Sequence, residues 1–325
     1  MTAKNMFDIP TVLTAEEILD KAFKRASKVE IGGRTKLETV KETNIAKIKS
    51  ASDVIVSTMG KYVKSFPSIE RQSQFYVELI DLAVGTDKLK KSLGAMDWCR
   101  GNVARVAKAA TRAMASTNSI SEIDEARRGA YGRMSSFVKQ VNKELKVLSH
   151  ARNVMRKFPV IDPERPTIVV AGAPNVGKSQ LVARISTAKP RVAVYPFTTQ
   201  EISVGTFEKK YFKYQVIDTP GLLDRELDDR NPIELRAIVA LRHLSDVILF
   251  MFDPTESCGY PMSQQERILA TIKREFSPVP IVEIENKSDM LKSDSGRTRI
   301  SAETGAGVQK LVDSLVERLR AQQAL

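Results

Sequence analysis

The chain has 325 residues, 42% hydrophobic and 28% charged, a globular composition that excludes a chain-wide disordered, collagen-like or disulfide-stapled protein. Its length fits two domains, and two cysteines (Cys99, Cys258) with two histidines (His150, His243) supply neither a disulfide framework nor metal-ligand spacing. No apolar run reaches the roughly 18–20 residues that span a bilayer, and MTAKNMFDIP lacks signal-peptide order, so the expectation is a soluble cytoplasmic protein without a membrane span.

The net charge of +12 lies entirely in the first half. Residues 1–160 hold 29 Lys and Arg against 17 Asp and Glu; residues 161–325 hold 22 of each. A basic module joined to a neutral one points to a polyanionic partner, nucleic acid or an anionic surface. Within the basic half, Thr14 and Glu17 form a capping-box pattern before Ile18, Ala22, Ala26 and Val29, which predicts a first helix. A second is predicted over 36–64, where Pro67 ends or restarts the pattern, and a third over 68–84, punctuated by Gly85. A fourth covers 87–116, and Ser121 with Asp124 announces a fifth reaching Lys157. Residues 1–158 are therefore expected to form an N-terminal all-α helical bundle. Its aromatics (Phe75, Tyr76, Trp98, Tyr131) and methionines (Met59, Met96, Met114, Met134) sit at helical spacing, where core packing is the expected role.

Three prolines in PVIDPERPT make 159–166 a linker. From Thr167 the pattern changes. TIVVAG, EISVGTFE, YFKYQVID, DVILFMFD and VPIVEIEN alternate with helical stretches, and the unbroken VILFMF suits a strand covered on both faces. Residues 167–325 are expected to form a doubly wound α/β domain.

The first of these strands runs into Gly172-Ala173-Pro174-Asn175-Val176-Gly177-Lys178-Ser179, which fits the phosphate-binding loop GxxxxGK[ST] in its strand-to-helix context. Glycines let the backbone wrap phosphates, and successive N–H groups at a helix start favour the anion. Lys178 is expected to reach the β- and γ-phosphates and Ser179 to ligate Mg2+. Asp218-Thr219-Pro220-Gly221 ends a later strand, placing an acid that holds magnesium through water and a glycine amide free to approach a γ-phosphate. Asn286-Lys287-Ser288-Asp289 follows PIVEIE. A carboxylate at Asp289 accepts from guanine N1 and N2, a donor pair that adenine lacks. Ser301-Ala302-Glu303 is placed to present a backbone amide to guanine O6. The candidate nucleotide contacts are thus Pro174, Asn175, Val176, Gly177, Lys178, Ser179, Gln180, Asp218, Gly221, Asn286, Lys287, Asp289, Ser301, Ala302 and Glu303, and the ligand they imply is GTP or GDP.

The order GAPNVGKS, YPFTT, DTPG, NKSD and SAE resembles the translation-factor-related, Ras-like P-loop GTPases, with YPFTT pointing to the Obg group. DPTESCGYPMSQQ and the helical first half resemble the Nog subfamily, the nucleolar GTP-binding proteins of large-ribosomal-subunit assembly and their archaeal relatives. Ending after its last predicted helix, the chain resembles the short archaeal form. This resemblance places switch I around Pro196-Phe197-Thr198-Thr199, with Thr199 rather than Thr198 closing over magnesium, and switch II from Gly221 to about Asn231. It also implies that Asn175 helps to bind K+. Lys178, Thr199, Gly221 and Asn175 are then the expected catalytic set, and Ser179, Thr199 and Asp218 the metal set.

Ras-like enzymes carry a water-orienting glutamine right after the DxxG glycine, and here that position is Leu222. Slow intrinsic hydrolysis is the expectation. In the basic half, Arg105, Lys108 and Arg112 share one helical face, suited to phosphate contact. The function expected is a monomeric, nucleotide-dependent assembly factor that docks on rRNA of the large subunit beside ribosomal or assembly proteins. The alternative is a regulatory GTP sensor whose helical domain binds a protein partner.

Overall fold

A computed structural model describes residues 7–225, 230–291 and 294–323. The chain forms two compact units: Met1–Arg71 with Ala83–Arg156, and Gln72–Leu82 with Lys157–Leu325.

The first unit contains α1 (Ala15–Ser27) and α2 (Lys36–Ser65). The capping box of α1 is formed as the sequence predicts: Thr14 Oγ1 accepts from Glu17 N at 3.3 Å and Glu17 Oε2 accepts from Thr14 N at 2.7 Å. The predicted third segment is a short 3-10 turn, Ile69–Arg71, followed by α3 (Gln74–Val84), most of which packs in the second unit. This differs from a boundary drawn at residue 158. The bundle resumes with α4 (Thr86–Ser116), entered through Gly85 at φ 80°.

The fifth helix is two, α5 (Ile120–Gln140) and α6 (Asn142–Met155). Ser119 rather than Ser121 caps α5, accepting from Glu122 N at 3.4 Å. The helix breaks at Val141, where Asn142 turns its Oδ1 to accept from Ala15 N at 3.2 Å, an N–H at the α1 start that has no acceptor within its own helix. The helices α1, α4 and α5 pack on α2, and α6 packs on α4. Met59, Met96, Met114 and Met134 are fully buried with Ile55, Val103 and Leu148, as expected of core residues. Each such side chain contributes on the order of 1.5–3 kcal/mol through burial. Trp98 departs from the core expectation: it is 46% exposed, its edge set against Phe137.

The second unit is built on a seven-stranded mixed sheet of order β2-β3-β4-β1-β5-β6-β7. In chain order its elements are β1 (Thr167–Ala171), α7 (Lys178–Ile185), β2 (Arg191–Val194), β3 (Glu201–Lys209), β4 (Phe212–Asp218), α8 (Pro232–Ala240), β5 (Val247–Phe252), α9 (Met262–Glu275), β6 (Ile281–Glu285), β7 (Thr298–Arg299) and α10 (Val308–Gln323). β1 is parallel to β4 and β5, while β2 and β3 run antiparallel as a hairpin edge. β1 and β5 are buried at every residue, so the unbroken apolar runs are explained by cover on both faces. The Gln72–Leu82 segment is anchored here by Tyr76. Its hydroxyl lies 2.9 and 3.0 Å from the Pro159 and Ile161 carbonyls and accepts from Ile161 N at 3.1 Å. Glu78 pairs with His243 at 2.8 Å and Asp81 with Arg236 at 3.4 Å.

Candidate nucleotide-binding site

β1 delivers the chain to the sheet edge between β4 and β5, where the strand order reverses and open α/β sheets bind ligands. There residues 172–177 turn back into α7. Two positions require glycine. Gly172 has φ 136°, and a Cβ on it would clash with the Met251 carbonyl; Gly177 has φ 101°, and a Cβ would strike the Asn286 carboxamide. Asn175 is exposed with φ 60°, a left-handed conformation that asparagine tolerates better than most residues. The first N–H groups of α7 lack acceptors within the helix, so the turn is built to receive an anion.

Lys178 is 6% exposed, and its Nζ donates to the Gly172 and Ala173 carbonyls at 2.8 Å each. Burial lowers its pKa, against the opposing charges of Asp224 and Asp218. Asp218, at the end of β4, is buried, which raises its carboxyl pKa; a hydrogen bond from Ser179 and the charge of Lys178 pull the other way. Asp218 Oδ1 is buried with no hydrogen-bond partner. An orphaned buried carboxylate oxygen costs energy, and a hard cation bound through water relieves it. The Asp218 and Ser179 oxygens therefore fit magnesium. Among the described residues no cluster of three acidic, His or Cys side chains forms a metal cage.

The base-recognition segments converge through Asn286. Its Nδ2 donates to Val176 O at 2.7 Å and its Oδ1 accepts from Ala302 N at 2.8 Å. One buried side chain thus ties the phosphate loop, NKSD and SAE together, and the Ala302 amide is committed to that tie. Lys287 Nζ lies 2.6 Å from Asp253 Oδ2 and 2.8 Å from Ser257 Oγ. Asp289 is exposed. Ser301 Oγ accepts from Thr304 N at 3.0 Å. Gln180 hydrogen-bonds Glu303, and Arg184 donates to the Ala302 carbonyl at 2.8 Å, fixing SAE to α7.

In the switch I segment Tyr195 is fully buried, its hydroxyl donating to Ala237 O at 2.6 Å. Thr198 spends its hydroxyl on the local turn, donating to Tyr195 O at 3.0 Å and accepting from Gln200 N at 3.2 Å. Thr199 is exposed and accepts from Gln200 Nε2 at 3.4 Å. Of the predicted switch II stretch, residues 226–229 lie outside the described residues. Its start is well defined. Gly221, at φ 73°, donates its N–H to Asp224 Oδ2 at 2.7 Å, and Leu222 and Leu223 are fully buried. Arg230 donates to the Gly221 and Leu222 carbonyls and pairs with Glu234.

Asp224, Arg230, Gln200 and Asp253 escaped the sequence reading. The first two sit in LLDRELDDRNP, whose charge density reads as solvated loop. Asp253 accepts from Thr255 N and Cys258 N as well as pairing with Lys287, and only the run DPTESC next to a strand hinted at such a turn.

The sheet order and the convergence of these motifs define the second unit as a P-loop GTPase fold, and the helical first unit precedes it. Residues 7–162 match the NOG1 N-terminal helical domain, residues 232–289 the nucleolar GTP-binding protein 1 (NOG1) family, and residues 166–255 ferrous iron transport protein B. An uncharacterized protein of Methanocaldococcus jannaschii is 34% identical over 290 residues, 88% of this chain and 81% of that protein. Nucleolar GTP-binding protein 1 of Encephalitozoon cuniculi is 37% identical over 75% of this chain, and that of Saccharomyces cerevisiae 31% over 88%; the chain spans 46% and 45% of their lengths, less than half of each. A solved Plasmodium falciparum structure described as nucleolar GTP-binding protein 1 is 37% identical, with a TM-score of 0.45 over 51% of this chain and 92% of that one. The chain belongs to the nucleolar GTP-binding protein 1 family. Among the described residues no helix is long and apolar enough to cross a membrane.

Proposed function

We propose that this chain binds GTP and GDP with magnesium, hydrolyses GTP slowly, and acts in the cytoplasm as a nucleotide-dependent assembly factor for the large ribosomal subunit. Its helical unit docks on rRNA, beside ribosomal or assembly proteins, and the free protein is a monomer. The observation that carries the nucleotide reading is the convergence of Lys178, Asp218, Gly221 and Asn286 at one edge of the sheet. Exposed Arg105, Lys108 and Arg112 on α4 support the rRNA reading, and the names of the curated relatives support a ribosome-linked role.

In this scheme Lys178 exchanges its two loop carbonyls for β- and γ-phosphate oxygens. Gly221 offers its N–H to the γ-phosphate, and Asp289 accepts from guanine N1 and N2. Ser179, Thr199 and Asp218 would hold magnesium, Asp218 through water, and the ion would neutralise charge developing on the phosphates. Asn175 supplies an oxygen to potassium beside the phosphates, so replacing sodium by potassium raises turnover. Buried Leu222 cannot orient water, so turnover is slow unless another group completes the site.

Titration of GTP, ATP and xanthosine triphosphate into the protein tests the base assignment. GTP binds far more tightly than ATP. Asp289→Asn weakens GTP binding by roughly 10–100-fold, the scale of hydrogen bonds to a charged group, and strengthens xanthosine triphosphate binding. Equal affinity of the unaltered protein for ATP and GTP would remove the reading.

A further inference from the structure

Leu222 leaves the hydrolytic water without the group that usually orients it, and another polar side chain lies against the neighbouring Gly221. The γ-phosphate end of the site is marked by the Lys178 ammonium and the Gly221 N–H. An in-line water must lie beyond the γ-phosphorus, away from the β–γ bridge. That side is bounded by the two switch segments. Leu222 and Leu223 are fully buried, Thr198 has committed its hydroxyl to the turn, and Arg230 holds backbone carbonyls. Gln200 remains. Its carboxamide lies directly against the Gly221 α-carbon, so that a Cβ on Gly221 would collide with Gln200 Oε1 and Cδ. The same carboxamide donates to Thr199 Oγ1 at 3.4 Å. It therefore bridges the two residues placed around the γ-phosphate, one from each switch.

We infer that Gln200 is the water-orienting residue of this site, reaching from switch I the position that a glutamine after the DxxG glycine fills from switch II. The inference rests on the proposed GTP hydrolysis. A carboxamide is suited to it: the oxygen accepts from the attacking water while the NH2 donates to a γ-phosphate oxygen. The water oxygen bonds to the γ-phosphorus as the bond to the β–γ bridging oxygen breaks. The bonding pair stays on GDP, and the proton of the water passes to phosphate oxygen, giving inorganic phosphate. Gln200 takes no proton; it fixes the direction of attack. Asp224, whose carboxylate accepts the Gly221 N–H, is a poor substitute, because its charge repels the γ-phosphate as it repels Asp218.

The test is single-turnover hydrolysis of GTP by the full chain with magnesium, alongside binding of GDP, of GTP and of GDP with aluminium fluoride. Gln200→Ala slows hydrolysis roughly 100-fold, the cost of a misplaced reacting group. GTP and GDP dissociation constants stay within about twofold, the mark of a group that acts in the transition state. The variant also loses the added affinity that aluminium fluoride, a mimic of the transferring phosphoryl, confers on GDP. A structural role would instead weaken GDP binding. If the unaltered protein turns over GTP and Gln200→Ala matches it, or if Asp224→Asn alone abolishes turnover, Gln200 is not the orienting group. If the unaltered protein binds GTP without turning it over, the hydrolysis reading falls and this inference with it.

Discussion

At the Gly221 amide a carboxylate stands where a phosphate oxygen is expected. Asp224 Oδ2 accepts that N–H at 2.7 Å, and its charge acts on Lys178 more strongly than that of Asp218. In the proposed reading the Gly221 N–H that would meet the γ-phosphate is thus already held by an internal anion, 8% exposed, which GTP would displace and GDP would leave in place. Asp224→Asn keeps the shape and removes the charge. The expected result is a GTP-to-GDP affinity ratio about tenfold higher, the scale of one charge-assisted hydrogen bond, read from paired titrations; an unchanged ratio would remove Asp224 as a competitor. The sequence exposed GAPNVGKS, DTPG and NKSD because each is a short-range pattern whose chemistry needs fixed spacing. It hid Asp224 and Gln200 because their roles depend on which backbone they meet after folding: an aspartate in LLDRELDDRNP and a glutamine after YPFTT carry no local mark of burial or contact.

The same division holds for elements. Periodicity and caps announced α1, α2 and α4, and Pro67 and Gly85 bracketed α3. The apolar face of α3, with Phe75, Tyr76, Leu79 and Ile80 buried, reads identically whichever unit it packs on, so its place in the second unit was not legible. β2, four residues on the sheet edge with Val192 and Val194 exposed, was too short and too open to register as a strand. Tyr76 gives α3 its anchor and a pH signature. Burial pushes its phenol up to about 12, against about 10 in an unfolded chain. The raised pKa contributes stability that is fully present below pH 10 and is lost as pH rises toward 12, on the order of 3 kcal/mol in total. Tyr76→Phe removes the hydrogen bonds to Pro159 and Ile161. It should lower stability at pH 7 by about 1–2 kcal/mol and flatten the alkaline loss, as measured by urea unfolding at pH 7, 10 and 11. The buried Tyr195, also raised by burial, is common to both proteins, so the difference isolates Tyr76. Parallel curves for the two proteins between pH 7 and 11 would contradict the assignment.

On the scale of the whole molecule, the charge asymmetry was readable from composition, but which cations stay free to meet a partner was not. Arg152 is used on the Ile9 carbonyl and the Thr11 hydroxyl, Arg127 and Arg128 pair with Asp124, and Lys90 pairs with Glu70. Arg105, Lys108 and Arg112 are exposed along α4, Arg105 donating to the neutral Asn102 Oδ1 at 2.7 Å, on the stripe that also carries exposed Gly94, Trp98 and Gly101. Phosphate contact by this face would make RNA affinity fall steeply with salt, because neutralised phosphates release counterions. The measurement requires the full chain. Cutting after residue 160 would separate Gln72–Leu82 from the unit it packs in and leave Tyr76 and Leu79 without their surroundings. Replacing Arg105, Lys108 and Arg112 together with Gln preserves length and helix propensity, and circular dichroism should be unchanged. Binding to structured RNA should weaken, with the salt slope falling by roughly one unit for each phosphate no longer neutralised. Adding GTP or GDP leaves the altered face altered, so the weakening persists in either nucleotide state. If the triple variant binds RNA with an unchanged slope, this face is not the RNA site. If the unaltered chain shows no salt-dependent RNA binding at all, the excess charge solvates the helices, and the helical unit is better read as a protein-binding surface governed by the nucleotide.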